Sequence, residues 1–188
     1  MKNMFKMMGV ALLAGAMLFT ACKKDKEDTT PAATTPTIAD GVTVNFGGAA
    51  WTGGTATAIV QNGHVQISAY QTQGQFPGMQ VRTNAQEGTV NGTVTEDNYD
   101  LVWTPAQEEA YVYYCATERT DNLGDWLPLT YTVNITKYDA TNFKLTAEVT
   151  AQMFDYKAFY NDDVDHITDA AKKNLTATFG NITLQAAN

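Results

Sequence analysis

The chain has almost none of the side chains that nucleophilic catalysis draws on. Its 188 residues include one serine, Ser68, two histidines, His64 and His166, and two cysteines, Cys22 and Cys115. A Ser-His-Asp triad would have to use Ser68, which lies inside an alternating run with none of the sharp turn that exposes a nucleophile. His64 stands beside an Asn-Gly pair, the place of a solvated hairpin residue, and no spacing joins Cys115 to either histidine. Glu108, Glu109, Glu118, Asp125 and Asp155 supply carboxyls, but a glycosidase needs two of them about 5–9 Å apart, and nothing in the sequence pairs any two. The expectation is a protein that is not an enzyme and holds no cofactor.

Basic residues are also scarce, with 12 Lys and Arg against 20 Asp and Glu and a net charge of −8. Without residues 1–21, which carry Lys2 and Lys6, the balance becomes −10. Such a chain offers no electrostatic footprint for a phosphate backbone, so nucleic acid is not an expected partner. It offers no basic face to anionic lipid headgroups either. Long apolar runs are missing: the uncharged stretch "MMGVALLAGAMLFTA" follows Lys2 and Lys6 and stops at Cys22. A cationic start and an apolar core of about 7–15 residues describe a secretory signal. The stretch is short for a membrane span of about 20 residues.

What is present begins with that cysteine. Leu18-Phe19-Thr20-Ala21-Cys22 resembles a bacterial lipobox, with Phe19 where leucine is usual, in which the cysteine is lipidated and becomes the new N-terminus. Each buried methylene contributes about 0.8 kcal/mol, so two or three acyl chains make a lasting anchor. Residues 1–21 then read as a lipoprotein signal peptide and 22–37 as the lipidated cysteine and a tether. "KKDKEDTTPAATTPT" has no aromatic residue and no aliphatic larger than alanine, so it cannot offset its ordering entropy. Lys23 lacks the aspartate that holds some lipoproteins at the inner membrane, which favours an outer-membrane location. The charged run resembles the surface-export signals of Bacteroidetes lipoproteins but is half lysine, so periplasmic and surface-facing orientations both stay open. Asp28-Thr29-Thr30 resembles the short O-glycosylation motif of that phylum. With Cys22 lipidated, Cys115 has no partner for an intramolecular bridge and reads as a small buried residue on a strand.

Residues 38–188 read as one β domain. "GVTVNF" alternates apolar and polar positions, and "TATAIVQNGHVQISAY" carries Asn62-Gly63, the chemistry of a tight type I′ hairpin. "MQVRT", "EGTVNGTV", "NYDLVWT" and "AYVYYCAT" are further short strands, and "RTDNLGDWLP" reads as a loop. "LTYTVNITK" places Leu129, Tyr131, Val133 and Ile135 on one face. Across "YDATN", "FKLTAEVTAQM" does the same with Phe143, Leu145, Ala147, Val149, Ala151 and Met153, which predicts an antiparallel pair with one buried face. The closing "NLTATFGNITLQ" slips phase between Phe179 and Ile182, and a bulge at Gly180 would restore its apolar face. Thr168 is placed to cap a short helix through "DAAKK". The predicted class is mainly β: an antiparallel β-sandwich or flattened β-barrel with one short helix near the C-terminus.

Candidate ligand sites are few. Asp162, Asp163, Asp165 and Asp169 concentrate hard-cation ligands, although the glycine and terminal glutamate of an EF-hand loop are missing and a solvated acidic loop is the plainer reading. Tyr111 and Tyr113 share one face of their strand, with Tyr114 on the other. Together with Trp103 and Trp126 they are candidates to stack on sugar rings or hold an apolar ligand, if they are not simply core. The N-x-T triplets at Asn91, Asn134, Asn174 and Asn181 read as strand and turn chemistry.

The order of "VNFGGAAWTGG", "GHVQISAY", "YTVNITKYDATNFKLTAEVTAQMF" and "LTATFGNITL", over roughly 41–185, resembles a family of Bacteroidetes lipoproteins of unknown function. The resemblance implies a compact β domain on the outer membrane and carries no functional residues across. Two functions follow as expectations. One is a lipid-anchored, non-enzymatic domain that binds a glycan or a partner envelope protein. The other is a lipocalin-like barrel that carries a small apolar ligand.

Overall fold

The structure is a computed structural model that describes residues 38–72, 75–93, 110–117, 125–159 and 167–186. Ten strands follow in order: β1 (Gly41–Phe46), β2 (Ala49–Thr52), β3 (Thr55–Gln61), β4 (His64–Thr72), β5 (Gln75–Asn84), β6 (Gly88–Thr93), β7 (Tyr111–Cys115), β8 (Asp125–Asp139), β9 (Lys144–Asp155) and β10 (Lys172–Ala186). Of the two architectures that alternation allows, a closed barrel forms. Seven strands complete the ring, running β10-β3-β4-β5-β7-β8-β9 and back to β10. All pairings are antiparallel except β10 with β3, where Leu184, Gln185 and Ala186 lie parallel to Ala58, Ile59 and Val60.

Two long strands each hold two neighbours on one edge. β10 pairs with β1 over Leu175–Gly180 before it meets β3, and β2 lies outside β1. On β8, Asp125 and Trp126 meet β7, and Thr130 to Ile135 meet β6. The ring is thus closed by short seams. Tyr131 braces one of them: its ring crosses Gly92, where an added Cβ would meet ring carbon at 2.2 Å, and its hydroxyl donates to the carbonyl oxygen of Ala110.

Local chemistry accounts for much of this. Asn62 and Gly63 both have positive φ, 51° and 76°, as a type I′ turn requires, and they join β3 to β4. The bulge anticipated in the last strand is present, with the register shifting between Phe179 and Ile182 and Asn181 in a left-handed conformation at φ 56°. It brings Phe179, Ile182 and Leu184 to the same buried side.

The barrel is filled. Val44, Val65, Ile67, Val81, Leu145 and Phe179 are fully buried in one contiguous cluster with Phe46, Trp51, Tyr114 and Trp126. Phe46 stacks on Tyr114 at 4.2 Å between ring centroids and meets Trp126 edge-on at 4.8 Å. Lys173 lays its ammonium over the Trp126 ring at 4.6 Å, a cation–π contact at that end of the core. Each fully buried large side chain contributes about 1.5–3 kcal/mol, so the strands are held mainly by this interior. A second, smaller cluster of Leu127, Phe154, Tyr156 and Ile167, joined by Tyr113 and Leu129, packs on the outer side of β7, β8 and β9.

Four sequence expectations are corrected here. The helix predicted from Thr168 does not form: Asp169–Ala171 is a single 3₁₀ turn, Thr168 makes no side-chain cap, and Lys172 and Lys173 already pair with Phe154 and Met153. A few residues cannot outlast helix nucleation against a waiting strand partner. Among the described residues the one α-helical turn is α1 (Tyr156–Phe159), just after β9. Asp125 to Pro128, read as loop, begins β8. Leu129 leaves the face of Tyr131 because the register shifts between Pro128 and Thr130, and Phe143 is 57% exposed in the β8–β9 turn at φ 55°. The "NYDLVWT" strand lies outside the described residues.

Candidate functional site: a threonine-rich outer face

Alternation that sends apolar residues into the barrel sends their neighbours outward, and on five adjacent strands those neighbours are polar and mostly uncharged. The pairings align them in rows across the strands. Asn91 on β6 stands opposite Thr132 on β8, which stands opposite Thr150 on β9, then Thr176 on β10, then Asn45 on β1. A second row runs Thr93, Thr130, Gln152, Asn174. A third runs Thr89, Asn134, Glu148, Thr178, Thr43, and Glu148 is its only charged member.

The middle of this face is hollowed. An open depression of about 370 Å³ lies over β8, β9 and β10, walled by Thr130, Thr132, Thr150, Gln152, Asn174 and Thr176. Toward β6 the side chains satisfy one another: Thr132 donates to Asn91 Oδ1 at 2.7 Å, and Thr89 donates to Asn134 Oδ1 at 3.0 Å. In the depression they do not. Thr150, Gln152, Asn174 and Thr176 are exposed, and their side chains make no hydrogen bond among the described residues. Their donors and acceptors are open to solvent or ligand.

The chemistry of such a surface is limited and specific. Threonine is stiff about χ1, so a row of threonines on a sheet presents hydroxyls and methyls in set positions with little ordering cost on binding. Gln152 and Asn174 add amide donors and acceptors. The six wall side chains carry no charge, on a chain whose net charge is −8. The arrangement suits a neutral ligand rich in hydroxyl groups, and it has no cation to recognise a phosphate or carboxylate.

The residues singled out from sequence fall elsewhere. Tyr111 and Tyr113 do share the outer side of β7, with Tyr114 turned into the core, but Tyr111 is only 8% exposed. Its hydroxyl pKa is raised by burial and drawn partly back by Arg82, its cross-strand partner. Tyr113 is half-buried against the second cluster and donates to the buried carboxylate of Asp125. Trp126 is packed between Phe46 and Lys173 at the end of the barrel core. None of these three rings is an open stacking platform. Cys115 is buried and donates to the Thr117 carbonyl oxygen at 2.9 Å; burial first, then the neighbouring Asp125, pushes its thiol up to about 11. It is chemically quiet.

Asp169 is exposed and pairs with Lys172 at 3.2 Å. Among the described residues no group of three or more His, Cys, Asp and Glu is placed to hold a metal ion. Cys22, Trp103, Asp162, Asp163 and Asp165 lie outside the described residues. A signal that would have found the outer face is the N-x-T triplet, read above only as strand and turn chemistry. Asn and Thr two apart on a strand share a side, and Asn91/Thr93 and Asn174/Thr176 each supply one strand's part of two adjacent rows. Asn181, in the bulge, is turn chemistry.

Comparison with known proteins returns nothing: no family model, no curated protein and no solved structure matches the chain.

Proposed function

We propose that this is a lipid-anchored protein of the cell envelope whose barrel binds a neutral glycan through the outer face of β8, β9 and β10. The observation that carries the binding half is the depression walled by Thr130, Thr132, Thr150, Gln152, Asn174 and Thr176, hydroxyl- and amide-rich and without charge. The lipobox at Leu18 to Cys22 and the coreless tether after it support the anchoring half, and outer-membrane attachment follows from Lys23. Catalysis plays no part in this reading.

The direct test is retention of the purified full chain on immobilised neutral polysaccharides. Thr150→Lys should abolish retention with little change in melting temperature, because the position is exposed and takes a single added charge. A wild-type chain that binds no neutral glycan sinks the binding half. Palmitate label should follow Cys22, and undiminished label in Cys22→Ala sinks the anchor.

A second reading is favoured by the closed ring: a lipocalin-like carrier with a small apolar molecule inside. Against it stands the interior itself, where Val65, Ile67, Val81, Leu145 and Phe179 are fully buried in one contiguous cluster with Phe46, Trp51 and Tyr114. Saturable, stoichiometric uptake of an apolar fluorescent probe would favour the carrier.

A further inference from the structure

The rows on the outer face have a direction, and it selects among neutral glycans. Resting on the glycan reading above, we propose that the ligand is an extended, ribbon-like neutral polysaccharide that lies across the strands, with one sugar over each strand.

The spacings distinguish the two ways a chain could lie. Neighbouring strands are about 4.7–4.9 Å apart, whereas outward residues along one strand are two residues apart, at about 3.3 Å each. The step across strands is close to the advance of one pyranose ring in an extended, equatorially linked glycan; the longer step along a strand is not. A chain crossing the strands therefore meets an equivalent group at every sugar. On the middle row these groups are Asn91, Thr132, Thr150, Thr176 and Asn45. A chain running along a strand would instead meet outward groups about 6.6 Å apart, out of step with its sugars.

The depression agrees with this direction. Its walls take two outward residues from each of β8, β9 and β10, so it extends over three strands and only two rows. Its floor groups are also the unsatisfied ones, while the Thr132–Asn91 bond occupies the β6 end. Three central sugars would make the main contacts, with outer sugars over β6 and β1 adding less. The flanking row contributes Glu148, which stands beside Thr178 and Asn134 and would repel a uronic acid. The ligand class is then a neutral β-1,4-linked polymer in preference to an acidic one.

The test uses the purified full chain, titrated calorimetrically with cello-, manno- and xylo-oligosaccharides of two to six sugars and with oligogalacturonate. At least one neutral series should tighten by about tenfold or more from two to five sugars and then level, and oligogalacturonate of equal length should bind more weakly. Thr150→Val with Thr176→Val removes two free hydroxyls from one row and keeps β-branched side chains on the strands. That pair should weaken the five-sugar ligand by about tenfold, and Thr176→Val with Thr178→Val, two positions along β10, by much less. Affinity that stops rising at two sugars, or a larger loss from the along-strand pair, overturns the direction and leaves glycan binding standing. Binding of oligogalacturonate equal to or tighter than neutral chains overturns the neutral class. No binding of any series overturns both this inference and the reading beneath it.

Discussion

Cys115 shows how a residue with reactive chemistry is silenced by its place. Its thiol lies buried between β7 and the start of β8, bonded to the Thr117 carbonyl and adjacent to the Asp125 carboxylate. Burial and that carboxylate raise its pKa from 9.0 to about 11. A raised pKa means that the folded state favours the protonated form, so this contribution to stability is fully present below pH 9 and is lost as pH rises through about 11. The Tyr114 hydroxyl, also raised by burial, acts in the same direction. The urea midpoint should therefore fall between pH 9 and 11, and Cys115→Ala should flatten part of that fall; a midpoint flat to pH 11 would contradict the assignment. That Cys115 would be a small buried residue could be read from its apolar run "YVYYCAT". That its neighbour would be a buried carboxylate could not, since Asp125 belongs to a segment that composition marks as loop.

Among the elements, the seams of the barrel are its most sensitive joints. β7 and β8 pair over two residues only, and Tyr131 strengthens the region by crossing Gly92 to reach Ala110. Gly92→Ala should displace that ring and cost about 1–3 kcal/mol, read from the denaturation midpoint. Phe179→Ala, in the middle of the interior, should cost about 3–5 kcal/mol. An alanine at 92 that leaves stability unchanged would remove the brace from the account. The hairpins were legible in the sequence because each is a local matter: Asn62-Gly63 sets one register, and the Val133–Ile135 and Leu145–Val149 alternation sets another. Pairings such as Val42 with Phe179 were not, since two strands well over a hundred residues apart leave no joint pattern in one sequence. The failed helix at Thr168 follows from the same limit, because its outcome depended on a partner, β9, that propensity cannot see.

For the molecule as a whole, composition and surface agree. The chain has 28 threonines against one serine. Threonine's β-branch favours a strand where serine's freely rotating hydroxymethyl does not. The β-branched form serves a face whose side chains must hold their positions. The rows could not be read in advance, because alternation tells which residues face outward and only register tells which stand beside each other. They were partly visible in the repeated N-x-T and T-x-T spacing, although a tally of aromatic side chains pointed to β7 instead.

β10 bonds to β9 along most of its length, to β1 over Leu175–Gly180 and to β3 at Leu184–Ala186. Among the described residues it is the last strand in chain order. Until it has been made, neither the ring nor the β1 wall has a partner to close on, and the contacts it makes are among the most distant in sequence that the fold contains. Such closure is slow compared with local hairpins. A nascent chain threaded through a membrane from its N-terminus would therefore travel as separate hairpins with no finished barrel to block the passage, and would lock into shape only after its last strand had crossed.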